Sequence, residues 1–149
     1  MTENKYGQNG SNVIELTTRD FNGATLIHPK FKGKGMFAVV KAYAPWCPHC
    51  TAMISDMEFL AKNLEGEICF FGLNCDNPIN REMGEKLNVS GFPTLFFSNL
   101  EGELSEMNLP GRTPLDILES VCQHSTDYVS KNKKGVSKCC KIHNGKIMC

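Results

Sequence analysis

Two cysteines three positions apart, Cys47 and Cys50, enclose Pro48 and His49 directly after an apolar run that stops at Pro45. At a strand-to-helix junction this spacing puts both sulfurs on one face of the first helical turn, close enough to form a disulfide. A thiol at a helix N-terminus meets unpaired backbone N–H groups and the positive end of the helix dipole. Cys47 is therefore expected to ionise easily and to be the exposed nucleophile. Cys50, one turn further in, is expected to be more buried and to resolve a mixed disulfide formed at Cys47. His49, as an imidazolium beside the sulfur, favours the thiolate further, and a dithiol with a favoured thiolate gives its disulfide away readily. A zinc half-site is the competing reading. Zinc normally wants a second pair at similar spacing, and before the tail only the well-separated Cys69, Cys75 and Cys122 remain. No metal or organic cofactor is expected.

The elements that must hold this pair follow from apolar patterning. Residues 1–12 are polar and are expected to be disordered, and Val13–Leu16 reads as a short strand. A helical turn is expected around Thr18–Phe21, and an exposed loop from Asn22 to Gly35. Phe37–Tyr43, FAVVKAY, reads as a buried central strand. Met53, Met57, Leu60 and Leu64 then form one helical stripe, stopped by Gly66. Ile68–Leu73 is the next strand, and Asn77-Pro78 opens a helix burying Ile79, Met83 and Leu87. Thr94–Ser98 and Leu104–Leu109 are separated by a hairpin-length turn, which implies antiparallel pairing. Thr113-Pro114-Leu115-Asp116 caps a last helix with Leu115, Leu118 and Cys122 or Val121 inward. The order is βαβαβαββα, whose crossovers require a parallel core.

The segments AYAPWCPHC, LNCDNP, GFPTLFF and PGRTPLDILESV, in this order, resemble the thioredoxin and protein disulfide isomerase superfamily over roughly Val13–His124. The Tyr43-Ala44-Pro45-Trp46 lead-in is most similar to protein disulfide isomerase domains, and Pro48-His49 matches bacterial oxidants of the DsbA type. The resemblance implies an α/β thioredoxin fold, a central mixed sheet of about five strands flanked by about four helices, occupying residues 13–127. It implies a cis-proline at Pro93 facing the cysteines, where a missing N–H leaves the Phe92 backbone free to pair with an extended client. Trp46, Pro48, Phe92 and Pro93 would form the surface that clients touch. Two departures stand out. Lys41 occupies the strand position where relatives usually carry a buried acid. There it either favours thiolates as a cation or takes a proton as an amine, unless its stem snorkels to solvent or pairs with a carboxylate. Ser55 stands where many relatives have a helix-kinking proline, so a straighter helix is expected. Arg112 resembles an isomerase arginine that tunes the resolving cysteine; its plain reading is a surface cap.

Sixteen basic residues match sixteen acidic ones, but residues 1–127 carry a net charge of −6 and the tail, 128–149, carries +6. Overall neutrality and the absence of interleaved aromatics argue against a specific nucleic-acid site, and no apolar run is long enough to span a membrane. Cys69, Cys75 and Cys122 read as small buried hydrophobes without chemistry. Cys139, Cys140, His143 and Cys149 fall in what is expected to be a mobile basic tail. A zinc knuckle, a shuttle disulfide or an intermolecular link are the alternatives there. The expected function is thiol–disulfide exchange of a disulfide-oxidase or isomerase kind on cysteine-containing protein clients, served by an upstream thiol oxidase or reductase, in a monomer or weak dimer. A thioredoxin-like reductase and a non-catalytic binding or packaging protein on the same scaffold are the alternatives. The first residues lack a secretory pattern, so a cytoplasmic setting is expected, with a cytosolic disulfide pathway such as some large DNA viruses maintain reconciling it with the oxidant motif.

Overall fold

The computed structural model describes residues 3–149. Strand β1, Ile14–Glu15, precedes a 3-10 turn at Thr18–Asp20, capped reciprocally by Thr17 and Asp20. A small hairpin, β2 (Phe21–Asn22) and β3 (Thr25–Leu26), leads to the central strand β4, Phe37–Tyr43. Helices α1 (Pro48–Ala52) and α2 (Ile54–Asn63) follow, then strand β5 (Ile68–Asn74) and a 3-10 turn that runs into α3 (Arg81–Lys86). Strands β6 (Thr94–Ser98) and β7 (Leu104–Glu106) precede the long α4 (Pro114–Asn132), and β8 (Lys141–His143) and β9 (Lys146–Met148) close the chain.

The five main strands lie in the order β1-β5-β4-β6-β7. β1 and β4 run parallel to β5, β6 is antiparallel to β4, and β7 is antiparallel to β6. This is the mixed α/β sheet the sequence led us to expect. All seven residues of β4 are buried, as a sheet covered on both faces demands. Alternation sends Phe37, Val39 and Tyr43 into a core shared with Cys50, Met57, Leu60, Ile117 and Val121, and Ala38, Val40 and Ala42 into a second core with Phe31, Phe71 and Met83. Lys41 therefore points towards the side of the sheet that carries the cysteine pair.

Several expectations are corrected. The first residues are tied to the fold at particular points: Tyr6 is buried, and Ser11 and Asn12 donate hydrogen bonds to the Glu58 carboxylate of α2, at 2.5 and 2.9 Å. Met1 and Thr2 fall outside the described residues. The expected exposed loop at 22–35 buries Leu26 and Phe31, single apolar residues with no periodicity to reveal them. Ile79 and Leu115 are exposed, each in a first helical turn directly after a proline. On α4 Leu118 and Val121 are buried as expected, and the inward stripe also takes in Ile117, Ser125 and Tyr128.

The tail is folded rather than mobile. α4 continues past residue 127 to Asn132 and ends at Lys133, which takes the left-handed conformation. β8 and β9 then form a hairpin whose turn, Asn144-Gly145, has positive φ at both positions. Cys122 is not an isolated hydrophobe: it bonds to Cys139, and Cys140 bonds to Cys149. The tail cysteines are thus occupied within the chain, which removes the intermolecular link and the zinc knuckle. The chain-entropy model assigns about 3 kcal/mol to a loop of the Cys122–Cys139 size. The double variant Cys122→Ser/Cys139→Ser should accordingly lose about 2 to 3 kcal/mol in urea unfolding; an unchanged midpoint would show that the hairpin holds without its staple. Among the described residues no helix is long and apolar enough to cross a membrane.

Candidate active site

The β4-to-α1 junction presents the cysteines. Cys47 is the N-cap of α1, in extended conformation, and its N–H donates to the Ala44 carbonyl at 3.1 Å. Pro48 occupies the first helical position, where no N–H is needed. The Cys47 thiol donates to the Phe92 carbonyl, with Sγ 3.6 Å from the oxygen, and the Phe92–Pro93 peptide is cis. Trp46 is 62% exposed, with its indole N–H on Asp76 Oδ1 at 3.2 Å and its ring edge-on to Phe92, centroids 6.1 Å apart. The fold therefore gathers Trp46 and Cys47, and Phe92 and Pro93, from two separate stretches of chain. One expectation needs correction: Cys47 is no open nucleophile, retaining only 6% of its surface against 2% for Cys50.

The two sulfurs are electrostatically unequal. Burial pushes the Cys47 thiol up, but the Cys50 thiol, the backbone N–H groups of Cys50 and His49 and the Lys41 ammonium together outweigh it, so its pKa ends below the ordinary thiol value. Burial, reinforced by the neighbouring Cys47 sulfur, pushes Cys50 up to about 12. Direction and division of labour follow: Cys47 ionises first and Cys50 waits protonated. Position 49 contributes its backbone N–H, while the imidazole itself is exposed.

Lys41 is wholly buried and does not snorkel to solvent. Its Nζ donates to the Cys50 carbonyl at 2.7 Å and to the Tyr6 hydroxyl at 2.5 Å, and lies 5.0 and 5.6 Å from the Tyr6 and Tyr43 ring centroids. The Cys50 carbonyl also accepts the Met53 N–H at 3.2 Å, and Met53, at φ −91° and ψ −5°, separates α1 from α2. The helix is consequently interrupted, not straighter: a side chain enters its hydrogen-bond ladder at Cys50, so no proline is required at position 55. Glu15 completes the buried group, accepting from the Tyr43 hydroxyl and, at 3.1 Å, from the Tyr6 N–H. Burial pushes Glu15 up to about 7, partly offset by its Tyr43 and backbone hydrogen bonds and by Lys41, and pushes Lys41 down to about 8 against the pull of Cys50, Cys47 and Glu15.

Arg112 is exposed on the loop before α4 and, with Pro93, Thr94, Glu106 and Met107, lines a groove of about 290 Å³. It thus shares a wall with the cis-proline. Cys69 and Cys75 are buried, and burial pushes both thiols up to about 11, well outside the nucleophilic range. Sequence reading missed Tyr6, Glu15, Tyr43 and Asp76 as partners of the site. An acid inside the short strand Val13–Leu16 and a glycine inside the apolar run Ile68–Leu73 were the available signals. Tyr6, in a polar stretch, gave none.

The Thioredoxin family model matches residues 12–123, and the chain belongs to that family. Protein disulfide-isomerase MPD1 of Saccharomyces cerevisiae is 37% identical over 56% of this chain and 24% of its own length. Protein disulfide-isomerase 1 of Dictyostelium discoideum is 31% identical over 68% of this chain and 27% of its own. The chain thus spans about a quarter of these relatives. Among solved structures, the first thioredoxin domain of mouse protein disulfide-isomerase A4 superposes with a TM-score of 0.60 at 23% identity, covering 91% of this chain and 85% of that one. The Trx4 domain of ERdj5 gives 0.57 at 20% identity, over 83% of this chain and 99% of that domain. Both share the fold.

Proposed function

We propose that the chain is a thiol–disulfide oxidoreductase that passes the Cys47–Cys50 disulfide to cysteines of protein clients, oxidising or isomerising them. The observation that carries this reading is the unequal pair at one helix start, Cys47 depressed and Cys50 raised, beside an exposed aromatic rim. A client thiolate attacks Cys47 Sγ, the Cys47–Cys50 bond breaks, and Cys50 leaves and takes up a proton. A second client thiolate then attacks the client sulfur of the mixed disulfide and expels Cys47 as the thiolate. The client loses two electrons and the protein gains them. Stabilising the expelled thiolate makes this direction favourable. Reducing thioredoxins and strong oxidants differ by about 150 mV, or about 7 kcal/mol, a size that thiolate energetics can supply.

Equilibration with glutathione, together with melting of both redox forms, tests the direction. An oxidant melts higher when reduced; a chain that melts higher as the disulfide is a reductase instead. A protein that neither reduces insulin nor restores pairing in a scrambled client would be a binding module. The two tail disulfides support a setting in which disulfides persist, and a cytoplasmic location would need its own disulfide-forming route.

A further inference from the structure

Tyr6 lies upstream of the residues that match the family, 12–123, yet its hydroxyl accepts from the Lys41 ammonium at a shorter distance than the Cys50 carbonyl does, and the residue is 1% exposed. The sequence makes room for it. Gly72 is paired in register with Lys41, and a Cβ there would stand 2.6 Å from Tyr6 Cδ2 and 3.2 Å from the Tyr43 ring. A glycine in the middle of a buried strand weakens it unless something occupies the space, and here the Tyr6 ring does. The segment is fastened on both sides of that ring. Lys5 N–H donates to the Tyr43 hydroxyl at 2.9 Å and Tyr6 N–H to Glu15, while Ser11 and Asn12 hold Glu58 of α2.

We propose that Tyr6 is a positioning residue for the Cys47–Cys50 exchange: its hydroxyl holds the Lys41 ammonium against the Cys50 backbone, so that the charge falls on the two sulfurs. This rests on the redox reading above. A buried ammonium needs acceptors, and Lys41 has two, one from the reacting helix and one from the N-terminal segment. The charged and titratable groups around it are Glu15 from β1, Tyr43 from its own strand, Cys47 and Cys50 from the β4–α1 junction, and Glu58 beyond Tyr6. Glu15 accepts from the Tyr6 backbone N–H and the Tyr43 hydroxyl, and acts on Lys41 as a nearby charge. Loss of the Tyr6 hydroxyl makes the ammonium costlier, the amine more often neutral, and both thiolates less favoured.

The test is the pH profile of Cys47 alkylation by iodoacetamide, with the glutathione equilibrium, in the full chain and in Tyr6→Phe, which keeps the ring. The midpoint should rise, and the equilibrium should move towards the protein disulfide by up to about tenfold, the ratio carried by a pKa change of one. In a Lys41→Met background Tyr6→Phe should add nothing. Gly72→Ala, which evicts the ring while sparing the sulfurs and Lys41, should repeat the shift. A folded Tyr6→Phe with an unmoved profile, or one whose shift persists without Lys41, overturns the proposal. If the variants do not fold, the wild-type chain decides it. The Lys41 signal in a ¹³C-lysine titration should change its midpoint when Cys47 and Cys50 are oxidised, and indifference to their state overturns the role. An insulin and refolding assay on the wild type keeps the two readings apart: an inactive wild type refutes the redox function, whereas an active one with an unmoved variant profile refutes only the part given to Tyr6.

Discussion

Cys50→Ser turns the protein into a trap. With the resolving sulfur gone, a mixed disulfide formed at Cys47 has no intramolecular exit, so covalent adducts with cysteine-containing clients should accumulate and survive non-reducing electrophoresis. Cys47→Ser should form none, because the depressed thiolate is lost and the remaining thiol, pushed up to about 12 and 2% exposed, neither ionises nor reaches a client. Either change should lower turnover in the refolding assay by about 10³ or more, the scale on which deletion of a nucleophile acts. The asymmetry between the two variants is the informative part. If Cys50→Ser and Cys47→Ser trapped clients equally, the division of labour that the backbone N–H groups and burial impose on the pair would be wrong.

Stability of the dithiol form, with Cys47 and Cys50 free as in the structure, should dip near neutral pH, where most proteins sit on a plateau. Glu15 has its carboxyl pushed from 4.5 up to about 7, so between those values the folded state keeps a proton that the unfolded chain has released. Its contribution is fully present below pH 4.5 and is lost as pH rises through 7, by up to about 3 kcal/mol. Lys41 works in the opposite sense. Its pKa is pushed from 10.5 down to about 8, so at neutral pH the folded state must hold a buried ammonium, and that cost is lifted as pH climbs from 8 towards 10.5. The mutual attraction of the two charges makes the dip shallower, and above pH 9 the unfolded chain releases the Cys69 and Cys75 protons that the fold retains up to about 11, which lowers stability again. The clean measurement is therefore a difference: urea unfolding of wild type, Glu15→Gln and Lys41→Met across pH 4 to 9. Glu15→Gln should flatten the acid limb and Lys41→Met the rise above 8. A wild-type curve that climbs from pH 4.5 to 7, or variants that run parallel to it, would place the two charges in better-solvated surroundings than the structure gives them.

The buried pair also explains the departure at position 41. A cation in the strand beneath the resolving cysteine stabilises thiolates where a carboxylate would oppose them, so Lys41 and the Cys47 depression pull the same way. A carboxylate stands nearby as well: Glu15 on β1 accepts from the Tyr43 hydroxyl and the Tyr6 backbone N–H. Because Tyr43 and Lys41 share a strand while Glu15 and Tyr6 come from the first sixteen residues, those residues and the Cys47–Cys50 turn form one electrostatic unit.

Local chemistry was sufficient to write much of this protein from its residues. Six apolar positions around Lys41 in Phe37–Tyr43 make a buried strand, and the Thr113-Pro114-Leu115-Asp116 cap starts a helix through its own side chains. The cysteine spacing set the chemistry, since three positions on one helical turn is a matter of local geometry. Tertiary structure decided what depends on non-local neighbours. Nothing near Tyr6 or Glu15 in sequence announces that they meet Lys41, because those contacts span 35 residues in one case and pass through Tyr43 in the other. The hairpin around Asn144-Gly145 went unread in a tail expected to be mobile, and the Cys122–Cys139 bond that pins it to α4 required knowing which face of the helix Cys122 occupies. Patterns with a short period survive in one dimension; burial, and with it the charge state of every group in the site, is a property of the folded volume.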